Sequence, residues 1–142
     1  MIDVAVKGII VKGDKILLLK RSGSEDCYKN LWETPGGKIN FGEDLKEALR
    51  REVKEETNLD IEVLIPINTW SFFRDDKTYV VGITFLCKPL TEEIHLGEEH
   101  VDYKWVSKNE LDELEMDENL RKELKFFFKN KNHFLNIDPT FI

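Results

Sequence analysis

Four acidic side chains in one short stretch, Glu43, Glu52, Glu55 and Glu56, carry the chemical interest of this chain. They lie in a segment that begins with Gly36-Gly37, runs through a dense set of charges and ends at Asn58-Leu59. On a helix, Glu52 lies one turn before Glu55 and Glu56, so the three share a face. Leu45, Leu49 and Val53 recur every fourth position on a different face, which suits a core. Like charges one turn apart destabilise a helix by roughly 0.2–0.5 kcal/mol per pair, so the acidic face calls for compensating positive charge. Arg50 and Arg51 supply part of it. A hard divalent cation, Mg²⁺ or Mn²⁺, would supply the rest, because such ions take carboxylate oxygen. Considered alone, the run from Arg51 to Glu56 favours the reading of a solvated surface helix rich in Glu and Lys.

The wider spacing narrows the choice. Gly37 is followed after five residues by Glu43, and after seven more by Arg51-Glu52; then come Val53, Lys54, Glu55-Glu56, two residues and Leu59. Six fixed residues, each at about 5–7% usage, recur by chance about once in 10⁷ windows. This pattern, residues 37–59, closely resembles the signature of the Nudix hydrolases, including their MutT-like members. One position departs from it: Asn58 stands where the family usually has Gly. Asn is the next most tolerant residue in a left-handed helix terminus, so the change falls on a cap and leaves the chemistry intact.

The resemblance implies an α/β fold in which a mixed β-sheet is sandwiched between helices. It implies Glu52 and Glu56 as metal ligands, Glu55 as a third, and the Gly36 carbonyl completing the site. The general base is left open between Glu52 or Glu55 and a loop residue about six positions before Trp105, for which Glu99 matches best and Glu98 is the alternate. Arg51 is expected to pair with a box carboxylate such as Glu43 and to orient the ligands. Arg21 matches an Arg that faces substrate phosphates in MutT-like members; an ordinary surface cation is the other reading. Glu33 resembles an acidic residue before the Pro-Gly-Gly turn, as a substrate contact or a turn-stabilising side chain. Asn119 matches a purine-reading Asn of some members, or simply belongs to a helix start.

The elements that must position these residues can be read in order. Residues 2–11 and 16–20 are apolar strands joined by a hairpin turn at Lys12-Gly13-Asp14-Lys15. Residues 22–30 are a polar loop able to cover a substrate, and Pro35-Gly36-Gly37 reads as a turn. A helix is expected over about 42–57, with Glu43 and Asp44 in its first turn. Ile61, Val63 and Ile65 alternate as a strand with a bend or edge position at Pro66, and residues 67–74 continue it. Residues 78–87 and 101–106 are further strands, separated by an acidic loop that carries Glu98 and Glu99. A second helix spans about 117–130 with Asp117 as its cap. The tail, 131–142, keeps Phe134, Leu135, Ile137, Phe141 and Ile142, too apolar for a disordered end. It is expected to pack on this domain or on a partner subunit, which admits a homodimer.

Composition sets the outer bounds. The 142 residues are expected to form a single domain, 1–142, with 41% hydrophobic and 35% charged residues. No apolar run approaches a membrane span, and Met1-Ile2-Asp3-Val4 shows no secretory signal, so no membrane association and a cytoplasmic location are expected. Cys27 and Cys87 are isolated and read as free thiols. The net charge of −7 argues against duplex nucleic acid as a partner but not against a small nucleotide, whose phosphates a metal ion can offset.

The activity implied is Mg²⁺-dependent (or Mn²⁺-dependent) hydrolysis of a pyrophosphate bond in a nucleoside diphosphate linked to another moiety X. Nucleoside triphosphates, ADP-ribose and related nucleotides are the candidate substrates. Two alternatives stand beside it: a catalytically silent nucleotide-binding regulatory domain, against which the complete acidic set speaks, and an RNA 5′-end pyrophosphohydrolase, which would want a basic groove.

Overall fold

A computed structural model describes residues 1–23 and 30–141 of the chain. The described residues form a seven-stranded mixed sheet. Its strands are β1 (Ile2–Lys12), β2 (Lys15–Arg21), β3 (Trp32–Glu33), β4 (Gly36–Lys38), β5 (Ile61–Phe73), β6 (Tyr79–Pro89) and β7 (His100–Val106). The helices are α1 (Leu45–Thr57), α2 (Glu118–Lys129) and α3 (Lys131–Leu135), with short 3₁₀ turns at Lys108–Glu113 and Pro139–Phe141. None of these helices is long and apolar enough to cross a membrane. The expected loop at 22–30 lies largely outside the described residues, as does Cys27; Cys87 is a free, buried thiol.

β1 is the hub of the sheet. It pairs with β2 only at the hairpin, through Val11 with Ile16 and Lys12 with Lys15. Beyond that the two strands part. β1 runs parallel to β6 and antiparallel to β4, while β2 pairs with β3 and β7. The sheet is therefore split along the line between β1 and β2, and the residues that matter below gather at that split.

Alternation along the strands divides the core into two layers. Val6 and Ile10 of β1, Leu17 and Leu19 of β2, and Phe85 and Cys87 of β6 pack against Ala48, Leu49 and Val53 of α1. Ile9 and Val11, Ile16 and Leu18, and Leu86 turn the other way, onto Leu111, Leu124 and Phe127 of the 3₁₀ turn and α2. A β-bulge between Val63 and Ile65 shifts the register of β5, so these two residues fall in opposite layers although a regular strand would keep them together. The result is a sheet between helices, the α/β sandwich that the sequence led us to expect. Phe134 and Leu135 of the tail pack on the α2 layer, so this part of the tail is seated on its own domain.

Two local expectations are corrected. The helix begins at Leu45, not near Gly42: Gly42 has φ +81°, and Asp44 is the N-cap, accepting from the Lys46 and Glu47 N–H groups. Glu43 therefore precedes the helix rather than sitting in its first turn. Gly36-Gly37 is a strand rather than a turn, paired with Lys7 and Val6. Its glycines are required by the chain's own packing. A Cβ on Gly36, at φ +137°, would lie 2.1 Å from the Val6 carbonyl oxygen, and one on Gly37 would lie 2.7 Å from Glu52 Oε2.

This predicts a graded response to alanine. Gly13→Ala meets open space at φ +64° and should lose about 1 kcal/mol in urea unfolding, the cost of a left-handed backbone. Gly36→Ala must displace β1 and should lose about 3 kcal/mol or more. Equal losses would contradict the packing described for β4.

Candidate active site

The C-terminal end of α1 is where the acidic loop attaches. A helix leaves its last carbonyls without intrahelical partners. Here the Gly97 N–H donates to the Glu56 carbonyl at 3.1 Å, and the His95 N–H donates to the Thr57 carbonyl at 3.0 Å. Asn58 closes the helix in the left-handed region at φ 69°, and its side-chain amide donates to the Glu93 carbonyl. The approach is close enough that a Cβ on Gly97 would lie 2.9 Å from the Glu55 carbonyl oxygen. Docked in this way, the loop brings Glu98, Glu99 and His100 opposite Glu52, Glu55 and Glu56. Together with Gly97 these residues line a cleft of about 230 Å³.

The carboxylates of the cleft differ in environment. Glu56 is only 6% exposed and accepts the Gly36 N–H at 2.8 Å. Burial pushes its pKa up to about 7, against the pull of Lys7, the Gly36 hydrogen bond and His100. Glu52 is likewise raised by burial, and the charges of Glu55 and Glu99 add to the shift, while Arg51 opposes it. Glu55 faces solvent. Charge of one sign is thus concentrated where little water screens it, and the arrangement fits a divalent cation. Ligand atoms of Glu56, Glu99 and His100 all lie within 4.8 Å of one another.

Arg51 ties the box together from behind. Its Nε and Nη2 donate to the two oxygens of Glu43 at 2.8 and 2.9 Å, a bidentate pair. Nη1 reaches Glu52 at 3.1 Å and Glu55 at 3.4 Å, and Nη2 also donates to the Lys38 carbonyl. The Arg51 hydrogen bonds, with one from the Asn40 N–H, hold the Glu43 carboxyl at about 2. The same bond to Glu43 raises the guanidinium further above its usual range. Glu43 and Arg51 are thus permanently charged and fix the side chains on the acidic face without lining the cleft.

A second charged group sits behind His100. Glu33 Oε2 lies 2.8 Å from His100 Nε2 and 3.2 Å from Arg21 Nη1, and Glu33 Oε1 lies 3.7 Å from Lys7 Nζ. Burial raises the Glu33 carboxyl, but Lys7, the His100 hydrogen bond and Arg21 together outweigh it and hold the group at about 2. Arg21 and Glu33 are thus partners of each other at the split in the sheet, one layer behind the cleft. Asn119 stands exposed in the first turn of α2, where its backbone N–H is capped by Asp117; it is not among the residues lining the cleft.

Two residues of this arrangement escaped the sequence reading. Lys7 is a cation in the middle of the mostly apolar strand β1, and that interruption is the signal that could have found it. His100 follows the Glu98-Glu99 pair directly at the start of β7. The side chain is fully buried because the register of β2 with β7 shifts between Lys20 and Arg21, a bulge that turns it inward.

Comparison with known proteins identifies the family of this fold. The family model described as the NUDIX domain matches residues 1–127. The chain is 35% identical over 130 residues to an ADP-ribose pyrophosphatase of Methanocaldococcus jannaschii, covering 91% of this chain and 75% of that protein. It is 31% identical over 120 residues to the nucleoside triphosphatase NudI of Escherichia coli, covering 77% of this chain and 84% of that protein. Among solved structures, the MutT protein of Methanosarcina mazei superposes with a TM-score of 0.73 at 28% identity, over 92% of this chain and 95% of that one. A NUDIX hydrolase of Nitrosomonas europaea, at 22% identity, shares the fold with a TM-score of 0.79 over 92% of this chain and 72% of that one. The chain belongs to the Nudix family of hydrolases, enzymes acting on phosphorus anhydrides.

The Glu56 shift has a consequence for stability. Its folded pKa of about 7 stands above the ordinary 4.5, so between these values the folded state holds more protons than the unfolded one. Stability of the metal-free protein from this group therefore falls as pH rises from about 4.5 to 7. Glu33, shifted the opposite way, acts in a separate window and loses its contribution as pH falls from about 4.5 to 2. Chemical denaturation with a chelator present should show the decline above pH 4.5 in wild type and a shallower one in Glu56→Gln. Identical slopes would contradict the burial assigned to Glu56.

Proposed function

We propose that this chain hydrolyses a pyrophosphate bond in a nucleoside diphosphate linked to another group, or in a nucleoside triphosphate, with Mg²⁺ or Mn²⁺ as cofactor. The observation that carries the reading is the cleft where the carboxylates of α1 meet those of the docked loop. A bound divalent ion offsets the charge of the substrate phosphates and makes a water easier to deprotonate. We assign Glu52, Glu56 and the Gly36 carbonyl to holding the ion, with Glu99 supporting from the loop.

Glu55 is assigned as the group that takes a proton from the attacking water, since it is the box carboxylate facing solvent. Water adds across the anhydride: its oxygen bonds to one phosphorus while the bridging P–O bond breaks toward the other phosphate. The products are a nucleoside monophosphate and phospho-X, or a monophosphate and pyrophosphate when the substrate is a triphosphate. Arg51 holds Glu52 and Glu55 in register as a positioning residue, and Arg21 and Glu33 support the substrate site from behind the cleft, through His100. Asn119 stays the weakest of the assigned substrate contacts, supported only by its place at the start of α2. Nucleotide substrates suit a cytoplasmic enzyme.

The similarity to an ADP-ribose pyrophosphatase and to a nucleoside triphosphatase defines the first panel. ADP-ribose, the (deoxy)nucleoside triphosphates, diadenosine polyphosphates and a sugar nucleotide should be incubated with Mg²⁺ or Mn²⁺ and the products separated. At least one should be turned over, and the two substitutions should separate the roles. Glu56→Gln should weaken metal binding as well as turnover; Glu55→Gln should lower kcat by about 100-fold or more while metal affinity holds. Full metal-dependent activity in both variants would overturn the assignment.

A further inference from the structure

We propose that His100 is a metal ligand in this cleft through Nδ1, so that the site prefers Mn²⁺ and other cations that accept imidazole nitrogen over Mg²⁺. The inference deepens the proposed function and rests on reading the cleft as a metal-dependent hydrolase site.

Three observations converge on the imidazole. Its side chain is fully buried, and Nδ1 is buried with no hydrogen-bond partner among the described residues. Nε2 is engaged, 2.8 Å from Glu33 Oε2. A ligand atom of His100 lies within 4.8 Å of carboxylate oxygens of both Glu56 and Glu99. Glu33 faces the cations of Arg21 at 3.2 Å and Lys7 at 3.7 Å, so its carboxylate accepts and Nε2 carries the donating proton. With the proton on Nε2, a lone pair is left on the buried Nδ1 of a ring that sits beside the carboxylates of Glu56 and Glu99. A buried nitrogen lone pair without a donor is costly. A cation shared with Glu56 and Glu99 satisfies it directly.

The arrangement has the form of a carboxylate–histidine–metal relay, in which the outer carboxylate fixes the tautomer and the ring orientation. Arg21 and Lys7 extend it outward, each within 4 Å of Glu33. The local structure serves the same end. The bulge at the β2–β7 register turns the ring inward, and the Ser22 N–H holds the Glu99 carbonyl at 2.9 Å. Carboxylates alone suit Mg²⁺; one imidazole nitrogen shifts preference toward Mn²⁺, Co²⁺ and Zn²⁺.

Electron spin-echo modulation of the Mn²⁺-loaded protein tests this without reference to turnover. Wild type should show a ¹⁴N coupling to Mn²⁺, and the pattern should change to that of ¹⁵N when the protein is grown on ¹⁵N-histidine. Of the three histidines, His95 and His133 are exposed, and their Gln variants should keep the coupling. His100→Gln should lose it, and the affinity ratio of Mn²⁺ to Mg²⁺ should fall about tenfold or more. The wild-type spectrum decides the matter even if His100→Gln does not fold. Mn²⁺ bound in a Glu56-dependent manner but without nitrogen coupling would overturn the role of His100 and leave the proposed function standing. No Mn²⁺ binding at all would overturn both.

Discussion

Glu56 is a carboxylate removed from water by the fold that surrounds it, and most of the site follows from how that was achieved. It is buried at the last turn of α1 and accepts the Gly36 N–H. That one hydrogen bond joins the acidic helix to the strand at the split of the sheet. For the strand to come this close, Gly36 must lie against the β1 backbone and Gly37 against Glu52. The glycines at the head of the motif and the glutamates at its end are therefore two sides of one contact. A side chain at either glycine would push the strand off β1 or the carboxylate off its seat.

The concentration of negative charge is unfavourable by itself, and the protein manages it in layers. Arg51 neutralises the base of the acidic face through Glu43 and Glu52. Lys7 and Arg21 face Glu33 behind it, and through Glu33 they hold His100. Neither group occupies the mouth of the cleft, so the residual negative field points there, into a space of about 230 Å³. Low screening inside makes that field a strong attractor for a divalent ion and, through the ion, for phosphate. The overall charge of −7 is then no obstacle to an anionic substrate.

The sequence exposed the acidic helix because its residues interact at fixed local spacing: Glu52, Glu55 and Glu56 share a face wherever that helix forms. The strands were legible for the same reason, since alternation at Val6, Ile10, Leu17 and Leu19 has a period of two. What depends on distant pairing was not legible. Nothing local shows that Gly36 pairs with Lys7, or that a bulge opposite Arg21 turns His100 inward. Local sequence leaves the helix start open because Asp44 and Glu43 both suit a first turn; in the fold Asp44 caps the Lys46 and Glu47 N–H groups and Glu43 pairs with Arg51. The loop from Leu90 to Glu99 reads as solvated acid in sequence; in the fold it caps the helix that carries the site.

In the proposed function, helix and docked loop together form one cation site. Anomalous diffraction from a crystal soaked in Mn²⁺ tests it most directly. A difference peak is expected inside the cleft, within bonding distance of Glu56 and of at least one residue of the loop, Glu99 or His100. Peaks confined to exposed carboxylates elsewhere, with the cleft empty at saturating Mn²⁺, would contradict it.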